Sequence, residues 1–334
     1  MQLCEEDTIT AEPWETLARV KPVISIIIPT FNRARYVAQA VESVFAQTFT
    51  DLEVIVIDDG STDGTRKRLA SFSDSPRFQY VYQANAGRSA ARNRGIAKAR
   101  GEFLLFLDSD DWLLPNALAD LLQLAASHPS ARMIGGQTQF VDKQGRQFAS
   151  LSPTLEEGMA YPGLINERFF LLPGAFVVRK AGLEKIGLFD SQVEPCEDYD
   201  FALRVALLGE VACADVPVVQ HRMHGSNTAS TAIFLGGIRV AQKHLNLLVD
   251  ADELPPGVRR RSRALWMLKM ADSYYSLGNN AGALKNYLRA LAVHPAGLLL
   301  NLRVHRQILA SLVPVQLRER LKPMFYGHED LSAA

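Results

Sequence analysis

Apolar residues in the first third of this chain gather in short unbroken runs. Residues 23–28 (VISIII), 52–57 (LEVIVI) and 103–107 (FLLFL) are almost wholly hydrophobic. Such runs are the signature of strands covered on both faces, as at the centre of a parallel sheet. The first is expected to end at Pro29 and to pass into a loop over residues 30–33. A helix follows over residues 34–47, where Val37, Ala40, Val41, Val44 and Phe45 share one face at helical spacing. After the second run, Ser61, Thr62 and Asp63 offer N-caps for a short helix through Phe72. Residues 78–82 alternate as a strand, and Asn85-Ala86-Gly87 turns into a basic helix carrying Arg88, Arg92, Asn93, Arg94, Lys98 and Arg100. Strand and helix in alternation, with continuously apolar strands, predict an α/β fold with a doubly wound, mostly parallel sheet.

Beyond Trp112 the pattern loosens. Residues 115–126 form an amphipathic helix with Pro115 suited to its first turn. Residues 133–141 and the stretch around Phe148 read as a hairpin about Asp142-Lys143-Gln144-Gly145, and 174–178 as a short strand. Residues 197–208 form a helix opening with Glu197, Asp198 and Asp200, and a strand over 216–220 leads into a polar loop from His221 to Thr228. Past Ala232 the chain is helical, broken at Leu254-Pro255-Pro256-Gly257. The expected organisation is a polar lead-in (1–21), an α/β domain (22–230) and a helical region (231–334).

The candidate chemistry sits where the buried strands end. The third run passes straight into Asp108-Ser109-Asp110-Asp111 and the second into Asp58-Asp59. In an open α/β sheet the ligand crevice lies beyond the carboxyl ends of the strands. Carboxylates crowded on an apolar platform repel one another unless a cation joins them. Taken singly, each feature has a plain structural reading. The acids would make a solvated turn with Asp111 capping the next helix, and the basic helix would be a solvated face. Taken together they suit a nucleoside diphosphate: one carboxylate can accept the imide hydrogen of uracil, another the ribose hydroxyls, and a cation can bridge the rest to phosphate. GxGxxG after the first strand and GxxxxGK[ST] are both absent, so dinucleotide and P-loop readings lack their phosphate cradle.

Composition narrows the picture only a little. Hydrophobic residues make up 48% of 334 residues, enough for a substantial core. Lys+Arg and Asp+Glu both number 36, so no global charge steers the chain to nucleic acid. Cys4, Cys196 and Cys213 show no metal-ligand spacing, and neither a secretory signal nor a membrane-spanning run of ~18 apolar residues is present. A reducing cytoplasm is the expected compartment.

Five motifs then occur in order: SIIIPTFNR (25–33), DDGSTDGT (58–65), NAGRSAARNRGIAKARGEFLLFLDSDDW (85–112), CEDYDFALR (196–204) and HRMHGSNTAS (221–230). Together they resemble the GT-A fold of family 2 glycosyltransferases, inverting enzymes that use nucleotide sugars. The resemblance implies that Pro29, Thr30 and Arg33 line the nucleotide loop, that Asp59 faces uracil, and that Arg88 lies on the other side of the base. It implies Asp108 near the ribose, Asp110 as ligand to Mn²⁺ or Mg²⁺, and His224 at the metal or diphosphate. Asp111 would shape the acceptor side or cap a helix. Asp198 would be the catalytic base, with Glu197 as runner-up; the plain reading of Glu197 and Asp200 is helix capping and surface charge. The implied reaction is a direct displacement from a nucleotide-sugar donor, expected to be a UDP-sugar, onto a glycan or lipid-linked glycan acceptor of the cell surface. The alternatives are a nucleotidyltransferase, for which TFNRAR is a poor phosphate loop, and an inactive homologue that binds through its helical tail.

In that tail, residues 272–295 resemble one tetratricopeptide repeat, with Tyr274, Gly278, Ala283, Tyr287, Ala290, Leu291 and Pro295 at matching spacing. A single repeat cannot bury its own face, so a helical hairpin packed on the α/β domain is the competing expectation. Residues 296–313 interleave leucines with Arg303, His305 and Arg306, and Arg318, Arg320 and Lys322 follow. This stretch, to residue 322, reads either as a peripheral helix on an anionic inner membrane face or as a core helix with a basic outer side.

Overall fold

The computed structural model describes residues 21–153, 160–165, 172–224, 230–249, 254–298 and 302–312. The three apolar runs become β1 (Ile24–Thr30), β2 (Leu52–Asp58) and β4 (Phe103–Phe106), and β3 is the alternating segment Phe78–Tyr82. β1 does not stop at Pro29 but pairs with β2 through Thr30, opposite Asp58. Proline forfeits one donor in the ladder, which is tolerated here at the strand's last turn. Helix α1 (Val37–Phe45) buries Val37, Ala38, Ala40, Val41 and Val44. Only a single turn, α2 (Thr65–Arg68), and a 3₁₀ turn (Ala70–Phe72) fill the next crossover. Asp63 there accepts from the Thr65 hydroxyl and amide in place of a regular N-cap. The basic helix is α3 (Arg88–Lys98).

The remaining elements are β5 (Trp112–Leu113), α4 (Ala117–Ser127), β6 (Met133–Val141), β7 (Gln147–Leu151), α5 (Ala160–Ile165), β8 (Phe176–Arg179), α6 (Leu183–Ile186), α7 (Glu197–Leu207) and β9 (Val211–Arg222). Among the described residues the strands form one sheet in the order β3-β2-β1-β4-β8-β6-β9-β5, with β7 paired to β6 as the expected hairpin. The sheet is mixed. β3, β2, β1 and β4 are parallel, β8 runs antiparallel to both β4 and β6, and β5 runs antiparallel to β9. The periodic first third therefore predicts its own half of the sheet, while the second half is built from less regular strands. β9 is also longer than expected: it continues through His221 and Arg222, which sit on a strand and not in a loop.

α3 lies so close to β1 that only glycine fits at the contact. A Cβ on Gly95 would stand 2.3 Å from the Ile27 Cγ2 atom, and one on Gly101 would stand 2.6 Å from the Ser25 amide nitrogen. Ile27 is wholly buried and cannot swing aside. Gly95→Ala is expected to destabilise the protein by about 1–3 kcal/mol, the usual cost of overpacking. Chemical denaturation checks this, and an unchanged midpoint would mean that α3 can shift away from the sheet. Beside Gly101, Glu53 accepts from the Ser25 hydroxyl and from the Arg100 backbone and guanidinium. Arg100 therefore serves the fold rather than a ligand.

The C-terminal helices are α8 (Ser230–Leu247), α9 (Pro256–Ser276), α10 (Asn280–Val293), α11 (Pro295–Leu298) and α12 (Leu302–Ser311). α9 and α10 form the expected hairpin, pinned by the Tyr287 hydroxyl donating to Asp272 (2.5 Å). The hairpin does not stand apart. Trp266 and Met270 of α9, and Ile238, Val240, Ala241 and Leu248 from α8 and the residue that follows it, belong to the same buried cluster as the sheet. One core thus crosses the boundary expected near residue 230. In α12, Ile308, Ala310 and Ser311 turn inward while Leu309, and Leu312 just past the helix, stay exposed. That helix is in part a core element. Arg318, Arg320 and Lys322 lie outside the described residues.

Candidate functional site

Because β1, β2 and β4 are parallel neighbours, their C-terminal ends open on the same side. Two clusters of charge meet there.

The first gathers about Asp110. The Asp110 carboxylate lies 2.8 Å from the His224 Nε2 atom and 3.5 Å from the Arg33 Nε atom. This brings together residues from three distant motifs, the two candidate metal ligands among them. The His224 ring stacks on Tyr36 at 5.7 Å. Asp111, expected as a helix cap or acceptor-side residue, does not cap α4, whose N-cap is Asn116. Asp111 is buried and accepts from the Arg222 amide (2.9 Å) and from His221 Nδ1 (2.8 Å), binding the end of β9 to the end of β4. Burial works against the His221 charge, but the Asp111 partner outweighs it and raises the imidazole to about 9. The pair is therefore an internal clasp. Arg222 completes it by donating to the Asp110 carbonyl, the Lys143 carbonyl and Gln39, with its guanidinium packed on Trp112 and Tyr36. Arg222 and Tyr36 escape sequence reasoning. The signal was the register of β9, which a strand ended at Gln220 conceals.

The second cluster surrounds Arg92. This side chain is 2% exposed, although its helix reads as a solvated face. Its Nη1 atom donates to Glu197 and its Nη2 atom to Asp108 (2.8 Å). Burial opposes ionisation of Asp108, yet Arg92 holds its carboxyl below the usual range. Arg88 opens α3 half-exposed, with its Nε atom 3.8 Å from Glu197. Glu197 and Asp200 are both wholly buried, which corrects their reading as surface charge. Their neighbour Asp198 is less enclosed. In the first turn of α7 its Oδ1 atom accepts from the Tyr199 amide (2.8 Å), and burial raises its pKa above the ordinary value. Of the three acids in that motif, Asp198 is the one whose carboxylate is not tied up by a cation at hydrogen-bond distance among the described residues.

Other expected residues are in place but differently engaged. Asp59 is bonded by the chain itself, accepting from the Ala86 and Gly87 amides and from Gln83. It shapes the turn that launches α3, where Gly87 takes φ +89°. Thr30 ends β1 with a buried hydroxyl that has no partner among the described residues, and Pro29 beside it is half-buried. The DDGSTDGT motif proves to be lacing: Ser61, Thr62 and Asp63 bond Asn32 and the Ala34 amide, and so hold the loop that carries Arg33.

The side chains placed where they could hold a cation are Asp110 and His224. Among the described residues no group of three or more His, Cys, Asp or Glu side chains could hold a metal. One carboxylate and one imidazole nevertheless fit Mn²⁺ or Mg²⁺ bound mainly through substrate phosphates, since these ions keep water and phosphate oxygens as most of their ligands.

Comparison with known proteins agrees with this architecture. A family model described as "Glycosyl transferase family 2" matches residues 25–187. An uncharacterized glycosyltransferase of Nostoc sp. is 30% identical over 218 residues, covering 63% of this chain and 67% of that protein. Among solved structures, residues 1–349 of S. aureus TarS in complex with UDP-GlcNAc superpose with a TM-score of 0.61 at 20% identity, over 90% of this chain and 87% of that one. A mannosyltransferase from Pyrobaculum calidifontis in complex with GDP-Man and Mn²⁺ gives 0.54 at 19% identity, over 91% and 88%. These likenesses extend the shared fold into the C-terminal helices. With residues of the first, third and fifth motifs meeting at Asp110 beside the strand ends of a GT-A-like sheet, the chain belongs to glycosyltransferase family 2.

Proposed function

We propose that this glycosyltransferase moves a sugar from a nucleoside diphosphate donor, a UDP-sugar, to a hydroxyl of a glycan or lipid-linked glycan in one inverting displacement. The observation that carries this reading is the bridging of Asp108, at the end of a buried strand, to the acids that open α7 through Arg92, beside the Asp110–His224 pair. The solved neighbours support a nucleotide-sugar donor, since one holds UDP-GlcNAc and the other GDP-Man. Assembly of a cell-surface polysaccharide on the inner face of the plasma membrane is the proposed setting.

Asp198 would take the proton from the acceptor hydroxyl as its oxygen bonds to the anomeric carbon and the bond to the diphosphate breaks. A raised pKa suits a base that works near neutrality. Arg33 and Arg88 would face the diphosphate and the nucleoside, Asp108 the ribose, and Asp59 would act through the 85–87 turn that it holds. Pro29 and Thr30 would border the base. Asp110 and His224 would hold a divalent cation, which when bound neutralises charge on the departing diphosphate. Glu197, buried against Arg92, would position rather than accept a proton.

A thermal-shift panel of UDP- and GDP-sugars with and without Mn²⁺ tests the reading. Stabilisation by a UDP-sugar is the expected result, and no shift with any nucleotide in either condition would overturn it. Asp110→Asn removes a ligand charge at nearly constant volume and is expected to abolish the metal-dependent part of UDP affinity. Calorimetry of wild type in Mn²⁺ and in EDTA provides the reference, and equal affinities there would remove the cation from the scheme.

A further inference from the structure

We propose that Arg92 is a positioning residue, a buried strut that fixes the base-bearing turn of α7 against the donor-side acid Asp108. The proposal rests on the reading of Asp198 as the base.

Arg92 joins two segments far apart in the chain, the end of β4 and the start of α7, with one guanidinium nitrogen on each. The planar fork makes this possible, since its nitrogens diverge at fixed angles. Its ring neighbour is Phe189, with the guanidinium carbon 5.3 Å from the centroid. Phe189 in turn stacks on Phe201 of α7 at 4.2 Å and meets Phe106 of β4 edge-on at 4.8 Å. The same two elements are thus joined twice, by charge through Arg92 and by packing through Phe189.

Stability alone is a poor explanation for this arrangement. The two wholly buried charges, Arg92 and Glu197, cost several kcal/mol each to desolvate, and apolar residues of similar volume commonly hold a fold as well or better. The Arg92 Nε atom and the Glu197 Oε2 atom are both buried without a hydrogen-bond partner among the described residues, so the cluster is incompletely satisfied. What the charges supply that an apolar patch would not is direction. Glu197 is held inward, which fixes the backbone of the turn from which the next residue, Asp198, projects, with the charges of both Arg92 and Asp108 acting on it. Misplacing a reacting group by about 1 Å can cost on the order of 10²-fold in rate.

Arg92→Lys separates the two roles, because it keeps the neutralising charge but cannot reach both acids with a rigid fork. The expected result is a melting temperature near wild type with kcat lowered about tenfold or more and donor KM changed much less. Wild-type kcat in Arg92→Lys would overturn the proposal. Arg92→Met combined with Glu197→Gln removes the wholly buried pair and leaves only Asp108, a partly exposed carboxylate, without its cation. That variant is expected to regain the stability lost in Arg92→Met alone without regaining kcat. Recovery of both together would show that Arg92 only neutralises Glu197, and would equally sink the strut. Asp198→Asn, measured in parallel, isolates the underlying assumption: full turnover there means that the base lies elsewhere, whatever Arg92 does.

Discussion

Asp198→Asn is expected to lower kcat by about 10²–10⁴-fold, the usual scale for loss of a general base, while nucleotide affinity stays close to wild type. The substitution keeps the size of the side chain and its bond to the Tyr199 amide, so the opening turn of α7 should hold its shape. What is lost is the ability to take the acceptor proton. The charge environment adds a second signature. Burial raises the Asp198 pKa, while Arg92 pulls the other way and Asp108 adds to the rise. The active form is the carboxylate, so wild-type activity should fall as pH drops through this raised value, above the ordinary aspartate range of about 3.9. Single-turnover rates across pH, with UDP affinity measured on the same samples, check both points. Lost UDP binding in Asp198→Asn would assign the residue to the donor site. Undiminished turnover would leave the reaction without its base.

The parts of this molecule that could be read from sequence are those where one physical rule acts alone. The continuous apolar runs become central strands because nothing but burial on both faces accommodates VISIII or LEVIVI. Asp110 and His224 meet because an acid after such a strand has nowhere to point but the crevice. Arg92 shows where reading fails. Its helix is rich in arginine and so looks solvated, yet Ser89, Ala91, Arg92, Gly95 and Ile96 share the buried side. The glycine at 95, too close to Ile27 for any side chain, marked that side as the inner one. An arginine on the same face as such a glycine must be buried, and a buried arginine needs carboxylates. Asp111 and Asp200 failed in the same way. Acids near helix starts suit capping by propensity, but each is claimed by a partner distant in sequence, His221 for one and His244 for the other. Local rules see only the helix; the partner decides.

Asp200→Asn is expected to destabilise the protein by about 3–5 kcal/mol, the cost of breaking a buried ion pair by removing one partner. Asp200 has no exposed surface. One of its oxygens accepts from Arg204 at 2.7 Å and Lys243 at 3.0 Å, and the other lies 3.1 Å from the His244 Nε2 atom. The His244 Nδ1 atom then meets the Tyr161 hydroxyl (2.8 Å), which also accepts from the Trp266 ring nitrogen (3.1 Å). A single carboxylate on α7 thereby gathers α5, α8 and α9 onto the catalytic half of the molecule. Neutralising it leaves Arg204 and Lys243 facing an amide, while the geometry of the chain is otherwise preserved. The pH dependence has a definite sign. Burial opposes the Asp200 charge, but its hydrogen bond to His244 and the Arg204 charge leave its pKa well below the usual range. That contribution is present above the unfolded value of about 3.9 and is lost as pH falls toward the folded one. Burial lowers His244, so its neutral form is the folded one and stability also declines as pH falls below about 6.5. Denaturant titrations at pH 7.5, 5.5, 4 and 2.5 should show wild-type stability decreasing, with Asp200→Asn starting lower and losing less between pH 4 and pH 2.5. A variant that matches wild type at pH 7.5 would mean that the C-terminal helices are held by apolar packing alone, with the Asp200 network contributing nothing net.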